Sequence, residues 1–482
     1  GLGFATIAKS KEFVRTGKIA LLEKLKLEFP PGLLEILRVP GLGPKKVQLL
    51  WRERGIDSLE KFEIALQNGD LNGVAGFGAK TLANLQTSLR RLKEMGARLP
   101  ITDAVRLANR LENALCHHEL HRAGSLRRGC DTLGNLNFVA RTQDAAQLFA
   151  DFEGCSQISE IVTRDEHKIV GRIPPGIEVE IVAATPQNFG SKLFFHTGNR
   201  EFLEGISVGE HAHETQVFEE LRQPFIAPEL REGREIWGAK LPDLLEIGDI
   251  RGDLHAHTTW SDGGASIEEM VWAAKARGYE FLAITDHSKL MAMANGLNAQ
   301  RLREQAREIE EVRQKHPDFL LLRGVECDIL RDGSLDLDDE ILGELDFVIG
   351  SVHTAFNLGE DEQTARVVRA IEHPSVRLIA HPTGRVLGVR PPYDIHVPTL
   401  IEKCAQHGKW LEINASERLD LRDDYAKLAR EAGLKLAINT DAHSVAMLEN
   451  IGFGVQTARR ARCEKSDVLN CLGASELRAI LE

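Results

Sequence analysis

The sequence predicts a multi-domain chain with a helical front, an α+β middle and a closing half built as a barrel of seven strand-helix units. Three observations predict it. At 482 residues the chain exceeds one ordinary domain, and at roughly 100 to 200 residues per domain it holds about three or four. Its periodicity changes along its length. It is helical over residues 4–120 and mixed over 101–200, and from about 249 onward short apolar runs alternate regularly with helical stretches. Its charge is also divided: the total is -12, yet residues 1–130 carry 22 Lys and Arg against 13 Asp and Glu, and the remainder carries 38 against 59. A basic front suits a polyanionic partner, and an acidic rear suits a module that concentrates metal cations.

Composition narrows the class. Hydrophobic residues at 43% and charged residues at 27% exclude a disordered, collagen-like or membrane protein. The longest apolar runs, such as 319–322, fall far short of a membrane span, and no charged-then-apolar leader opens the chain. A soluble, cytoplasmic protein is expected. Seven cysteines, at 116, 130, 155, 327, 404, 463 and 471, form no CxxC pair. They predict reduced, mostly core residues, not a disulfide framework or a thiolate zinc site.

In the front, three Gly-x-Gly turns recur 40 and 35 residues apart: Gly1 and Gly3, Gly41 and Gly43, Gly76 and Gly78. Each is followed by a helical stretch with a basic residue nearby: Lys9, then Lys45 and Lys46, then Lys80. Paired glycines permit a tight hairpin between helices and let backbone N–H groups meet a phosphate. Such a grip on a nucleic-acid backbone is blind to sequence. The middle shows strand-like runs at 136–140, 158–162, 178–183 and 192–195. Residues 200–250, with Pro224, Pro228 and Pro242, read as a small helical piece and a linker.

In the rear, apolar runs end near Leu254, Ile284, Gly324, Ser351, Ala380, Ile413 and Asn439, separated by helical stretches such as 267–277, 299–315 and 423–432. Seven such units imply a closed parallel barrel, whose chemistry gathers at the C-terminal strand ends. Six of the seven ends carry an imidazole or a carboxylate: His255, His257 and Asp262; His287, preceded by Asp286; Glu326; His353; His381; Asp441 and His443. Without a cation this rim would crowd carboxylates and acceptors together. Nine candidate ligands suit two or three ions, with Glu326 as a bridge, and imidazoles with carboxylates favour zinc, manganese or iron over magnesium. Such ions activate water and clamp oxygens in displacement at phosphorus. Lys289, Arg385 and Arg390 are candidates to hold the remaining phosphate charge.

The segments DLHAHTTWSDG, AITDHS, GVECDIL, SVHTAFN, AHPTGR and NTDAHS resemble the signature of the PHP (polymerase and histidinol phosphatase) domain. That resemblance implies a distorted (β/α)7 barrel with a trinuclear metal centre. One metal would take His255, His257, Glu326 and Asp441; a second Glu326, His353 and His381; a third Asp262, His287 and His443. The whole chain is similar to bacterial family X DNA polymerases, through PPGLLEILRVPGLGPKK, VAGFGAKT, AGSLRRGCDTLGNLN and FHTGN in order. The resemblance implies a helix-hairpin-helix DNA-binding region at 1–98, a nucleotidyltransferase-like palm at 99–198, a reduced thumb and linker at 199–248, and a PHP phosphoesterase at 249–482 acting as a 3′-to-5′ exonuclease. DNA would be the partner, gripped by Gly41, Gly43, Lys45, Gly76, Gly78 and Lys80, with Gly124, Ser125 and Arg128 (beside Arg127) as a phosphate-holding strip for a nucleotide.

The sequence departs from that family at its polymerase centre. Where relatives place two aspartates on one strand and a third on its neighbour, this chain has Asn135, Asn137 and Glu180. Neutral amides do not supply the charge that two Mg²⁺ ions and a triphosphate demand, so nucleotide transfer is expected to be absent. The segment after Gly198 is shorter than the family's thumb, and Lys9 falls where repair relatives carry a lyase lysine but reads as an exposed helix lysine. The leading expectation is a metal-dependent exonuclease. An active repair polymerase, a small-molecule phosphatase of histidinol-phosphate type and a non-catalytic DNA scaffold are the alternatives.

Overall fold

The computed structural model describes residues 9, 11–13, 15–16, 18–37, 39, 41–94, 98–174 and 176–482. The first Gly-x-Gly turn lies outside the described residues. Contacts divide the chain into two units, Gly1–Ala97 and Arg98–Glu482.

In the first unit, helices Gly32–Leu37, Pro44–Arg54, Leu59–Asn68 and Ala79–Glu94 enclose a small core of Ile36, Leu50, Phe62, Phe77 and Leu85. Both described Gly-x-Gly turns bury their middle residue, Leu42 or Phe77, and leave the flanking glycines exposed. Gly41 (φ +94) and Gly76 (φ +84) adopt the left-handed backbone that these turns require. Lys46 ties the turns together: its Nζ donates to the Gly41 carbonyl at 3.1 Å and lies over the Phe77 ring. Lys45 and Lys80 are exposed, as is Lys9.

The second unit opens with a five-stranded mixed sheet: β1 (Glu119–Ala123), β2 (Asn135–Arg141), β3 (Glu160–Arg164), β4 (Lys168–Ile173) and β5 (Ile177–Ala184), in the order β1-β2-β5-β4-β3. Only β2 and β5 run parallel. The run at 192–195, expected as a strand, lies in the helix Phe189–Thr197. The reason is spacing. Phe189, Leu193, Phe194 and Thr197 form one helical stripe, and all four are buried. The strand-length window caught only its apolar middle. Residues 200–250 fold as short helices around Phe194, Phe202, Phe218 and Trp237.

The rest is the barrel. Strands β6 (Gly252–Ala256), β7 (Phe281–Ile284), β8 (Leu320–Asp328), β9 (Phe347–Ser351), β10 (Val376–Ile379), β11 (Trp410–Asn414) and β12 (Leu436–Asn439) lie side by side in chain order, all parallel. An isolated parallel bridge from Ala256 to Ala442 draws the first and last strands together. Every strand is buried nearly throughout, as a sheet with helices outside and a filled interior requires. The helices between strands match their expected positions closely, with Ile267–Ala276, Ala299–Lys315 and Asp423–Glu431 in place. All seven cysteines are free, and three of them, Cys327, Cys404 and Cys463, are buried. Among the described residues no helix is long and apolar enough to cross a membrane.

Candidate metal centre

The parallel strands end together, so residues just past those ends meet in one mouth. His255 lies within β6 and His257 just beyond it, two apart and therefore on one face. Glu326 projects from β8, while His353, His381 and Asp441 each stand two residues past β9, β10 and β12. His381 (φ +30) and Asp441 (φ +52) take left-handed backbone without being glycine. Such strain persists where surrounding structure imposes it, and here it accompanies two side chains that turn into the mouth.

Glu326 is the hub. Its Oε2 lies 2.8 Å from His287 Nδ1, 3.5 Å from His255 Nε2 and 3.6 Å from His257 Nε2. Its Oε1 lies 2.9 Å from His381 Nε2 and 3.2 Å from His353 Nε2. Asp441 Oδ1 approaches His257 Nε2 at 3.1 Å, and Asp262 approaches His443 Nε2 at 3.3 Å and His287 Nε2 at 3.6 Å. All nine sequence-predicted ligand positions are thus brought together. Ligand atoms cluster as His257, Asp262, His287 and His443; as His255, His257 and Glu326; as His255, His381 and Asp441; and as His287, Glu326 and His353. These groups share members and differ from the three sets that the family resemblance implies, although Asp262, His287 and His443 stay together in both.

The donor set fits cations. His255 Nε2, His257 Nε2 and Glu326 Oε2 are buried without a hydrogen-bond partner, a condition native interiors avoid unless something outside the chain satisfies it. On three of the rings the far nitrogen is held by the chain, whereas Nδ1 of His257 and of His381 is not. His255 Nδ1 pairs with Glu412 Oε1 at 2.8 Å, His353 Nδ1 with Asp328 Oδ1 at 3.1 Å, and His443 Nδ1 with the Asp441 carbonyl at 2.9 Å. Fixing one ring nitrogen in this way presents the other, Nε2, to a metal.

The electrostatics follow from crowding. Burial opposes ionisation of Glu326, yet His353, His287 and His255 hold its carboxyl well below the ordinary range. Asp441 is likewise held low against its burial, by His255 and His257. Burial disfavours charge on His353, but Glu326 and Asp328 raise it to about 10; His443 is raised to about 9 by Asp262 and Asp441 against the same burial. His257 is driven the other way, to about 3, by burial and then by the neighbouring His287. Asp253, fully buried, is pushed up to about 6 by desolvation, while its carboxylate accepts from the Thr440 N–H and hydroxyl and stitches β6 to β12.

Sequence reading missed the supports. The sixth strand end was read as empty, but β11 supplies Glu412 and Asn414, two apart on one face of the apolar run WLEIN. Glu412 holds His255 and also accepts from the His381 N–H and Asn439 Nδ2. A charged residue inside such a run was the available signal. Asp286 is scaffold, accepting from Thr258, Ser261 and Gln305.

The expected phosphate-holding cations are placed differently. Lys289 is exposed on the loop after β7. Arg385 is not free: it is buried, with Nη1 on Asp131 Oδ2 at 2.8 Å and Nε on the carbonyls of Arg418 and Leu419 at 3.0 Å. Arg418, in contrast, reaches the mouth, where its Nε lies 3.7 Å from Asp441 Oδ2, and burial and then the like charge of Arg418 push the Arg390 guanidinium below its ordinary range.

In the mixed sheet, Gly124 and Ser125 open a four-residue helix, and Gly124 (φ +57) leaves room for Asn137, whose Nδ2 would stand 2.5 Å from an added Cβ. The neighbouring arginines point inward. Arg127 forks onto Glu214, and Arg128 binds Glu232 and the Thr197 carbonyl. This corrects the expected strip, because ion pairs with the helical piece already occupy Arg128. The register pairs Asn135 with Glu178 and Asn137 with Glu180, and Glu180 Oε2 meets Lys168 Nζ at 3.1 Å.

The PHP domain family profile matches residues 253–441. A Bacillus subtilis protein named DNA polymerase/3′-5′ exonuclease PolX is 36% identical across the whole of this chain and 90% of its own length. The chain belongs to the PolX family. Less than half of the chain also aligns with proteins named probable phosphatases. One from a Thermoanaerobacter species is 32% identical over 40% of this chain and 78% of itself; one from Edwardsiella ictaluri is 29% identical over 45% and 89%.

Proposed function

We propose that this PolX-family chain is a DNA-binding, metal-dependent phosphodiesterase, a 3′-to-5′ exonuclease of DNA repair whose palm has lost nucleotidyl transfer. The observation that carries this reading is the buried ligand cluster around Glu326, with its unpartnered imidazole and carboxylate atoms. It sits in a chain aligned end to end with a relative named for both activities.

His255, His257, Asp262, His287, Glu326, His353, His381, Asp441 and His443 would hold two or three divalent ions, with manganese or zinc fitting the imidazole-rich set and iron next. Bound there, such ions would polarise a phosphoryl oxygen and generate a hydrolytic nucleophile near neutral pH. The chain's own task is to fix the imidazoles, through Glu412 and Asp328, and to exclude competing protein donors from their Nε2 atoms. Lys289, exposed beside the mouth's second strand, is a candidate contact for the departing strand. The division at 98, 198 and 248 into hairpin region, palm, thumb and barrel belongs to the same proposal. In the hairpin region the exposed Gly41, Gly43, Gly76 and Gly78, with Lys45 and Lys80, would grip the DNA backbone.

Two features support an idle palm. Asn137 replaces a carboxylate, and its neighbour Glu180 already has a cation from the chain, Lys168. A labelled primer-template incubated with and without Mn²⁺, with deoxynucleotides in a parallel tube, tests the whole reading. Metal-dependent shortening without extension is expected, and shortening should vanish in His255→Ala/His257→Ala. Undiminished degradation by that variant refutes the assignment. The probable phosphatases that align with part of the chain favour a second reading, hydrolysis of a small phosphomonoester. Comparing p-nitrophenyl phosphate with DNA separates the two.

A further inference from the structure

The loop that follows β11 is shared between two cores. Leu419 (φ +43) is buried in the hydrophobic cluster of the mixed sheet, with Ile101, Leu133 and Phe138, although it belongs to the barrel in sequence. The residue before it, Arg418, reaches the barrel mouth, where 20% of its side chain remains exposed. Among the described residues its guanidinium makes no hydrogen bond, and its ion-pair contact is Asp441 at 3.7 Å. Arg390 stands close by, stacked on Phe356 at 4.2 Å, with Nε on the Gly384 carbonyl at 2.8 Å and its terminal nitrogens unpartnered.

Two guanidiniums that feel each other's charge therefore share, among the described residues, one hydrogen bond and one long ion pair. Like charges gathered in this way call for an anion. The nearby carboxylates serve only in part: Asp441 Oδ1 faces His255 and His257, its Oδ2 accepts from Asn414 Nδ2 and lies 3.7 Å from Arg418 Nε, and Asp420 accepts from the Thr383 N–H and hydroxyl. The loop is also braced from outside the barrel. Arg385 clasps the carbonyls of Arg418 and Leu419, and Asp131, just before the short strand Thr132–Leu133, clasps Arg385 at 2.8 Å.

We propose that Arg418, with Arg390 beside it, holds a phosphate of the substrate at the barrel mouth, and that the palm positions it through Leu419 and the Asp131–Arg385 pair. This rests on the phosphodiesterase reading and adds to it. The palm's remaining work is to set the geometry of a site in another domain, so Arg418 is a substrate-holding residue and Asp131 and Arg385 are positioning residues.

The test uses the full metal-loaded chain with three readouts: metal content by elemental analysis, inorganic phosphate binding by calorimetry, and kcat and KM on a labelled single-stranded oligonucleotide. Arg418→Met is expected to keep its metal, bind phosphate about tenfold more weakly and lose about 100-fold in kcat/KM, with partial recovery on adding millimolar guanidinium. Arg418→Lys recovers part of the loss, because it restores the charge without the planar fork. Asp131→Asn, which preserves shape and removes charge, raises KM roughly three- to tenfold while kcat stays near wild type. Wild-type phosphate affinity and kcat/KM in Arg418→Met overturn the proposal, and an unchanged KM in Asp131→Asn overturns the positioning role. If Arg418→Met does not fold, Arg418→Gln carries the same expectations. If the wild-type chain cleaves no oligonucleotide, the phosphodiesterase reading fails, and the phosphate titration alone decides whether Arg418 holds an anion.

Discussion

In the barrel mouth, Glu326 is approached by five imidazoles and still leaves Oε2 without a hydrogen bond; in the mixed sheet, the partly exposed Glu180 pairs with Lys168 at 3.1 Å. Both carboxylates project from strands of parallel pairs, where a cation could be shared with a neighbour. The difference lies in who provides the positive charge. A buried carboxylate such as Glu326 must be paired, whereas Glu180 is partly exposed and has a cation of the chain beside it. The barrel supports His255, His353 and His443 from the far side of their rings. In the sheet, Asn137 retains one unpartnered amide oxygen, a far smaller demand than an unpaired carboxylate.

Four measurements break or sharpen that contrast, in descending order of expected effect. Glu326→Gln removes the hub charge and should abolish both metal content and DNA shortening, by about 10³-fold or more in rate; retention of metal in this variant would break the comparison at its strong end. At the weak end, primer extension with Mg²⁺ or Mn²⁺ should give no product above background, and clear extension would mean that the sheet still binds catalytic cations. Glu412→Gln tests the supports, since loosening His255 should weaken metal affinity about 10- to 100-fold without emptying the site at saturating metal. Lys45→Ala and Lys80→Ala should produce the smallest change, each lowering the salt dependence of DNA binding by about one ion and leaving cleavage of a short oligonucleotide near wild type.

Chelation offers a related check through stability. Ions that bind only the folded chain stabilise it by about 2.7 kcal/mol at 100 times Kd, so removing them should lower the melting temperature of the wild-type chain. It should leave Glu326→Gln unmoved. Equal shifts in both proteins would place the bound metal elsewhere.

Much of the barrel was legible because a parallel sheet covered on both faces writes itself as apolar runs with polar punctuation. His255, Glu326, His353 and Asp441 each follow such a run at a strand's exit, and the structure gathers them. Glu412 was missed because it sits inside its run, where an acidic residue looks like an interruption and its partner His255 is 157 residues away. The helix Phe189–Thr197 was misread for the opposite reason: a short apolar stretch has no period of its own until its flanks are included. Arg385 looked like a phosphate contact because its neighbours in sequence, His381 among them, belong to the mouth.

The sequence by itself determined the class of the rear domain, the nine imidazole and carboxylate residues at its strand ends and the amides at positions 135 and 137, because these depend on local period and residue chemistry. Only the tertiary structure decided which arginine makes no side-chain hydrogen bond among the described residues. Arg385 and Arg418 are chemically alike, and what separates them is Asp131, brought from a distant part of the chain to claim one guanidinium and leave the other at the mouth. Long-range pairing of this kind carries no local signature, since the partners are fixed by the packing of two cores and not by any pattern along the chain.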